Sequence, residues 1–257
     1  MPQPIAIPAL SDNYVWLIRS DRGSNCAIVD PGEAGPVIEA IRREGLEPVA
    51  VLITHRHHDH VGGLKEIRSA WPDIPVYGPA NEPVDGVTEA VEDGARVELD
   101  GLDLELDVIA TPGHTLGHVV FHGGGLLISG DTLFAGGCGR VFEGTNDQMH
   151  ASLERLSELP RKTVCCCGHE YTLANLEFAL AVEPDNGALV QRQHDARALR
   201  EAGRPTVPFE LGDELRTNPF MRCQEPTVHQ AAEAHAGREL ETPAEVFAVL
   251  RDWKNNF

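Results

Sequence analysis

Thr54-His55-Arg56-His57-His58-Asp59-His60 packs four histidines and one aspartate into seven residues, at the end of an apolar run spanning 49–54. In extended chain, alternate side chains share a face, so His55 and His57 can converge on one ion. Asp59 and His60 come after the chain turns and point towards a neighbouring position. Imidazole and carboxylate together suit zinc, iron or manganese. A histidine cluster standing alone also occurs as a metal-catching surface tract.

A second pattern argues against that plainer reading. The run 106–111 leads through Pro112-Gly113 to His114, 126–129 leads through Gly130 to Asp131, and 163–167 leads through Gly168 to His169. Strand-like runs thus end repeatedly in a tight segment that presents a metal ligand. Strand ends gathered at one sheet edge assemble a site from distant sequence.

Outward from these runs, short apolar stretches bounded by turn residues predict strands at 5–10, 14–19, 26–30, 49–54, 75–77, 96–99, 102–110, 118–121, 126–129 and 163–167. Helical periodicity falls at 34–44, 63–70 and 148–159. Strands outnumber helices here, which predicts a layered α/β sandwich rather than a doubly wound parallel sheet. After His169 the texture changes, and 172–182, 189–202, 227–236 and 244–254 all read as helices. Thr242-Pro243 supplies the last of them with a cap and a first-turn proline. The reading divides the chain at residue 170, with a metal-binding catalytic domain at 1–170 and a small all-α domain at 171–257.

Lys and Arg total 21 against 40 Asp and Glu, a formal charge of -19. Such a surface repels phosphate backbones, so nucleic acid is excluded as a partner, and an anionic substrate needs a local patch of cations. With 42% hydrophobic residues a packed core is expected. No apolar stretch is long enough to cross a bilayer and no leader is visible, so neither membrane nor secretion is expected. Cys165, Cys166 and Cys167 are adjacent and no C-x-x-C pair exists among the six cysteines. That disfavours a disulfide framework or a structural zinc knot, and fits a reducing cytoplasm and a buried strand. A monomer needs no further assumption.

His55, His57, Asp59 and His60 match the H-x-H-x-D-H motif of the metallo-β-lactamase superfamily, which the chain resembles. The resemblance implies an αββα sandwich with His55, His57 and His114 on one metal. Asp59, His60 and His169 would hold the other, and Asp131 would bridge them. It also implies two divalent ions, zinc first with iron or manganese as alternatives, sharing a hydroxide. Two divalent ions set against two carboxylates and a hydroxide leave a single positive charge, which favours a carbonyl gathering negative charge. Asp59 would orient the water and Asp131 would fix the metal spacing. His58 has the wrong parity for a ligand, His118 reads as a hydrogen-bonding support, and Asp30 reads equally as a support or a turn residue.

Other motifs are more specific. Asp12-Asn13-Tyr14-Val15-Trp16, Gly137-Cys138-Gly139-Arg140, Cys167-Gly168-His169-Glu170-Tyr171-Thr172, Asn218-Pro219-Phe220-Met221-Arg222 and 250–257 run from end to end of the chain. Together they resemble the glyoxalase II (hydroxyacylglutathione hydrolase) family. That resemblance implies hydrolysis of S-D-lactoylglutathione to D-lactate and glutathione. Arg140, Phe142, Tyr171, Arg251 and Lys254 would contact the glutathione part, and the helical domain would help bind it. Arg140 and Phe142 stand where animal members carry lysine and tyrosine; arginine keeps the cation, whereas phenylalanine donates no hydrogen bond. The rival expectation is a glutathione-persulfide sulfur dioxygenase of the same fold, with one iron and without the long helical tail.

Overall fold

The computed structural model describes residues 2–257; Met1, within the expected first domain, lies outside the described residues. Period-two alternation divides the N-terminal strands between two apolar layers. In β2 (Asn13–Arg19), Trp16 and Ile18 face one cluster while Val15 and Leu17 face another. Ala27 and Val29 in β3 (Asn25–Val29), and Ala50 and Leu52 in β4 (Glu47–Leu52), join the first cluster. Cys26, Ile28 and Val51 join the second.

A sheet that is apolar on both faces needs a layer on each side. With β1 (Gln3–Ala9), β5 (Val76–Pro79) and β6 (Glu89–Val91), these strands form a six-stranded sheet in the order β1-β2-β3-β4-β5-β6. α1 (Ala34–Glu44), the single turn α2 (His58–Val61) and α3 (Leu64–Ala70) follow its strands. Val37, Ile41, Leu64 and Ile67 of α1 and α3 cover the outer face.

The second sheet uses β7 (Arg96–Leu99), β8 (Leu104–Ala110), β9 (Val119–Gly123) and β10 (Leu126–Gly130). After the small hairpin β11 (Leu133–Phe134) and β12 (Gly137–Cys138), it adds β13 (Val164–Cys167) and β14 (Phe209–Glu210). Its order is β14-β13-β10-β9-β8-β7. Val108, Phe121, Leu127 and Ile128 pack with Trp16 and Leu52 in one core. The three cysteines of β13 are buried free thiols, as expected of a strand of small apolar side chains.

α4 (Asn146–Ser157) and the tail helices α5 (Thr172–Val182), α7 (Leu211–Thr217), α8 (Pro226–Ala236) and α9 (Pro243–Asn255) share a core with the second sheet, while α6 (Gly187–Glu201) packs on α5. The architecture is thus the αββα sandwich with a helical tail that the sequence predicts. Among the described residues no helix is long and apolar enough to cross a membrane.

Departures have local causes. α4 begins before residue 148 because Thr145 and Gln148 form a reciprocal capping box. The strand expected from residue 102 starts at Leu104, because a 3₁₀ turn at Asp100–Leu102 with Asp103 at φ 53° intervenes. β6, β14 and α7 were not foreseen. Strands of two or three residues carry no measurable alternation, and α7 is only seven residues long. β14 comes from the tail yet pairs antiparallel with β13, so chain beyond residue 170 is built into the second sheet.

Candidate metal centre

The ends of β4, β8, β10 and β13 lie at one edge of the sandwich, and each delivers ligands there. β4 runs straight into His55 and His57, and α2 then turns Asp59 and His60 inward. Two glycines make the approach possible. Gly130 sits at φ +47°, and a Cβ there would lie 2.5 Å from Thr54 Oγ1 and 2.8 Å from His118 Nε2. A Cβ at Gly168 would lie 2.5 Å from Asp131 Oδ1.

Two triads result. His55 Nε2 and His114 Nε2 lie 3.1 and 3.0 Å from His57 Nδ1. Asp59 Oδ2 lies 3.6 Å from His60 Nε2 and 3.4 Å from His169 Nε2. Asp131 stands between them. Its Oδ1 is 3.3 Å from His60 Nε2, while its Oδ2 is 3.4 Å from His114 Nε2 and 3.3 Å from His169 Nε2. All seven residues singled out in the sequence therefore converge, and one carboxylate faces members of both triads.

The remote side of each imidazole fixes which nitrogen is offered inward. His60 Nδ1 meets Asp30 Oδ2 at 3.0 Å, His169 Nδ1 meets Asp12 Oδ1 at 2.8 Å, and His114 Nδ1 meets the Arg140 carbonyl at 2.8 Å. His55 Nδ1 meets Thr54 Oγ1 at 3.0 Å, and that hydroxyl in turn donates to Asp30. Asp30 also accepts the Thr54 amide, and at φ 48° its own carbonyl accepts the Gly32 amide at 2.8 Å, so it is both a support and a turn residue. His118 is buried, accepts the Asp131 amide through Nε2, and stacks on His55. His58 is exposed.

These donors fit divalent cations. His60 Nε2 and Asp131 Oδ1 are buried without a hydrogen-bond partner, an expensive arrangement unless a cation takes both. Burial and the neighbouring imidazoles push His55 well down, and burial pushes His114 and His118 down, so His55 and His114 stand as neutral donors and His118 as a neutral support. Burial alone would raise Asp131, but His60 and His169 outweigh it and hold its carboxyl well below the usual range. Burial likewise opposes charge on His60 and His169, yet Asp131 outweighs it and pushes both up. The cluster attracts positive charge at the position where the second triad would hold a metal.

The centre opens into a cleft of about 530 Å³ whose lining includes all five residues expected to meet glutathione. Arg140 is exposed, and the exposed Phe142 ring stands edge-on to His57 and His114. Tyr171 stacks on His169 with ring centres 4.6 Å apart. Lys254 Nζ donates to the Ala174 carbonyl at 2.8 Å, and burial followed by Arg251 lowers its pKa. Arg251 also lines the cleft, but as a buried side chain rather than an open cation. It is 5% exposed, lies over Phe220 and donates to the Cys138 carbonyl at 3.0 Å. Cys138 lines the cleft as a buried thiol whose pKa burial raises.

Sequence reasoning missed several supports. Asn13 Nδ2 donates to Asp59 Oδ2 at 3.0 Å, and Tyr14 donates to Glu170. Buried Glu82 accepts the Arg56 amide at 2.6 Å and the Gly117 amide at 3.1 Å, tying the His55–His57 segment to the His114 loop. Asp12-Asn13-Tyr14 belongs to one of the motifs that carry the family resemblance, whereas nothing in the sequence flags Glu82.

Comparisons with known proteins agree with this geometry. Residues 10–169 match the metallo-β-lactamase superfamily, and 170–257 match the hydroxyacylglutathione hydrolase C-terminus. The chain is 52% identical over 255 residues to a hydroxyacylglutathione hydrolase of Alkalilimnicola ehrlichii (strain ATCC BAA-1101 / DSM 17681 / MLHE-1), covering 99% of each chain. It is 50% identical over 253 residues to one of Xanthomonas euvesicatoria pv. vesicatoria (strain 85-10), covering 98% of each. Among solved structures, ETHE1 from Myxococcus xanthus shares the fold at TM-score 0.68 and 22% identity, over 98% of this chain and 91% of that one.

Proposed function

Because the chain belongs to the hydroxyacylglutathione hydrolase family, we propose that it hydrolyses S-D-lactoylglutathione and related 2-hydroxyacylglutathione thioesters, the second step of methylglyoxal detoxification. The products are glutathione and the free hydroxy acid. The observation that carries this reading is the convergence of seven ligands at the floor of a cleft whose wall carries Arg140, Arg251 and Lys254. An acidic chain has kept cations together beside a metal centre, as a substrate with two carboxylates requires.

His55, His57 and His114 would hold one divalent ion and Asp59, His60 and His169 the other, with Asp131 shared between them. Such a pair, zinc first, would when bound supply a nucleophile from water at a pKa of ~7 and a positive charge to offset that on the attacked carbonyl. Asp131 would set the separation of the triads, because its Oδ1 faces His60 of one while its Oδ2 faces His114 of the other. Asp59, held by Asn13, is part-exposed at the cleft and orients entering water. The leaving thiol has an ordinary pKa of ~8.5, so it departs as thiolate with little help from an acid.

The rest of the cleft binds the glutathione part. Arg140 and Lys254 offer cations, Tyr171 is held rigid on His169, and Phe142 adds an apolar edge where no hydrogen bond can form. Arg251 serves mainly by fixing the carbonyls of the cleft wall. In this reading the split at residue 170 separates a domain carrying the metal ligands from one carrying much of the substrate wall. The protein works as a cytoplasmic monomer.

The test is thiol release from S-D-lactoylglutathione, run beside oxygen uptake with glutathione persulfide. Metal-dependent thiol release without oxygen uptake is the expected result. Oxygen uptake without thioester cleavage would replace this reading with the dioxygenase.

A further inference from the structure

The segment joining Asp131 to Arg140 is gripped by the helical tail at successive backbone groups. Asn175 Nδ2 donates to the Ala135 carbonyl at 3.2 Å, and the Gly136 amide donates to Glu214 Oε2 at 2.8 Å. Asn218 Nδ2 donates to the Gly137 carbonyl at 3.0 Å, and Arg251 donates to the Cys138 carbonyl at 3.0 Å. The segment has no room to relax. Gly136 sits at φ +70°, and a Cβ at Gly137 would lie 2.6 Å from the Asn175 side chain. A Cβ at Gly139 would lie 2.0 Å from the Asp131 carbonyl.

Glu214 and Asn218 are fully buried and complete each other. Asn218 Nδ2 also donates to Glu214 Oε2 at 2.9 Å, while Arg192 donates to Glu214 Oε1. Asn218 Oδ1 accepts the Phe220 amide at 3.0 Å and so starts the 3₁₀ turn whose Phe220 ring lies beneath Arg251. A buried ionic group is weak evidence of stabilisation, since apolar side chains of similar volume commonly serve as well or better. What these groups do instead is satisfy backbone atoms of the cleft wall, which apolar side chains could not.

We propose that Asn218 and Glu214 are positioning residues for substrate binding: from the helical tail they set the backbone of Gly136–Cys138, and through it the wall formed by Cys138, Arg140 and Phe142. This inference rests on the thioesterase reading above for its substrate, but not for its geometry. It joins Gly137-Cys138-Gly139-Arg140 to Asn218-Pro219-Phe220-Met221-Arg222, segments far apart in the chain, through the bond from Asn218 to the Gly137 carbonyl.

Asn218→Asp tests it with the smallest change of shape, at the cost of a buried carboxylate beside Glu214. The remaining Oδ1 still caps Phe220, but an oxygen now faces the Gly137 carbonyl and Glu214, both acceptors. Two readouts are taken on the folded, metal-loaded variant. KM for S-D-lactoylglutathione should rise at least tenfold while kcat falls less than threefold. Hydrogen exchange of the 133–140 peptide should quicken while peptides from β3 and β4 keep their wild-type rates. Should the added carboxylate prevent folding, Asn218→Ser, which still caps Phe220 but falls short of Gly137, carries the same test. Unchanged KM and unchanged 133–140 exchange in a folded variant would overturn the proposal. So would a uniform quickening of exchange with kcat reduced and KM unchanged, the mark of a merely structural role. If the wild-type protein cleaves no thioester, the functional reading fails, and the exchange measurement still decides the positioning claim.

Discussion

Asp12, Asn13 and Tyr14 are consecutive, and each holds a different part of the site: His169, Asp59 and Glu170. An imidazole whose far nitrogen is hydrogen-bonded to a carboxylate is both oriented and made a better ligand, an effect of about 10–100-fold in metal affinity. Asp12→Asn should therefore weaken one of the two metal positions by about that factor and leave the other unchanged. Competition with a chromophoric chelator reads the two affinities separately; equal weakening of both would argue for general damage instead. At this scale the ligands were legible and their supports were not. His55, His57, Asp59, His60, His114, Asp131 and His169 are distinctive residue types placed directly after strands. Glu82 and Asn13 act on backbone and side-chain atoms brought close only by folding, so no local spacing reveals them.

Secondary-structure elements deliver these residues by ending in the right place. β4 stops at Leu52 and hands its direction to His55 and His57, while β10 and β13 end in a glycine step before Asp131 and His169. α9 has the opposite task, since Arg251 and Lys254 lie in its last turns and depend on a secure beginning. That beginning is a capping box in which Thr242 Oγ1 accepts the Glu245 amide at 3.2 Å and the Glu245 carboxylate accepts the Thr242 amide at 3.1 Å. Thr242→Ala should cost about 1 kcal/mol of stability, read as a lower urea midpoint at unchanged m-value. No change in midpoint would mean that α9 is held by packing alone. Long periodic segments such as α1 and α9 were legible because 3.6-residue spacing repeats within them. β6 and β14 were not, because pairing with a distant strand, rather than their own few residues, makes them strands.

Across the molecule, the tail is joined to the sandwich by β14, by α9 packing on α4 and by the grip on the cleft wall. Within the tail, buried Glu183 ties the end of α5 to Arg222 and Thr227, accepting from both Nε and Nη2 of Arg222 at 3.0 Å. Burial alone would raise the Glu183 carboxyl, but Arg222 and Thr227 outweigh it and hold it below its ordinary value. Its folded pKa is thus the lower one, so its contribution is complete above the unfolded value and disappears as pH falls through the folded one. Glu183→Gln should be less stable than wild type at neutral pH and lose less stability on acidification; parallel stability–pH curves would refute this assignment. The sandwich and tail were legible at this scale from strand-then-helix order, whereas their interlocking was not, since it depends on buried polar contacts between segments far apart in sequence. The central claim, that two metals on seven ligands drive thioester cleavage, is tested most directly by titrating metal-free protein with zinc while bound metal and thiol release from S-D-lactoylglutathione are followed together. Activity is predicted to climb with occupancy and level off at about two ions per chain, as the paired triads require. Full activity at one ion or none, or two bound ions with no thiol released, would contradict it.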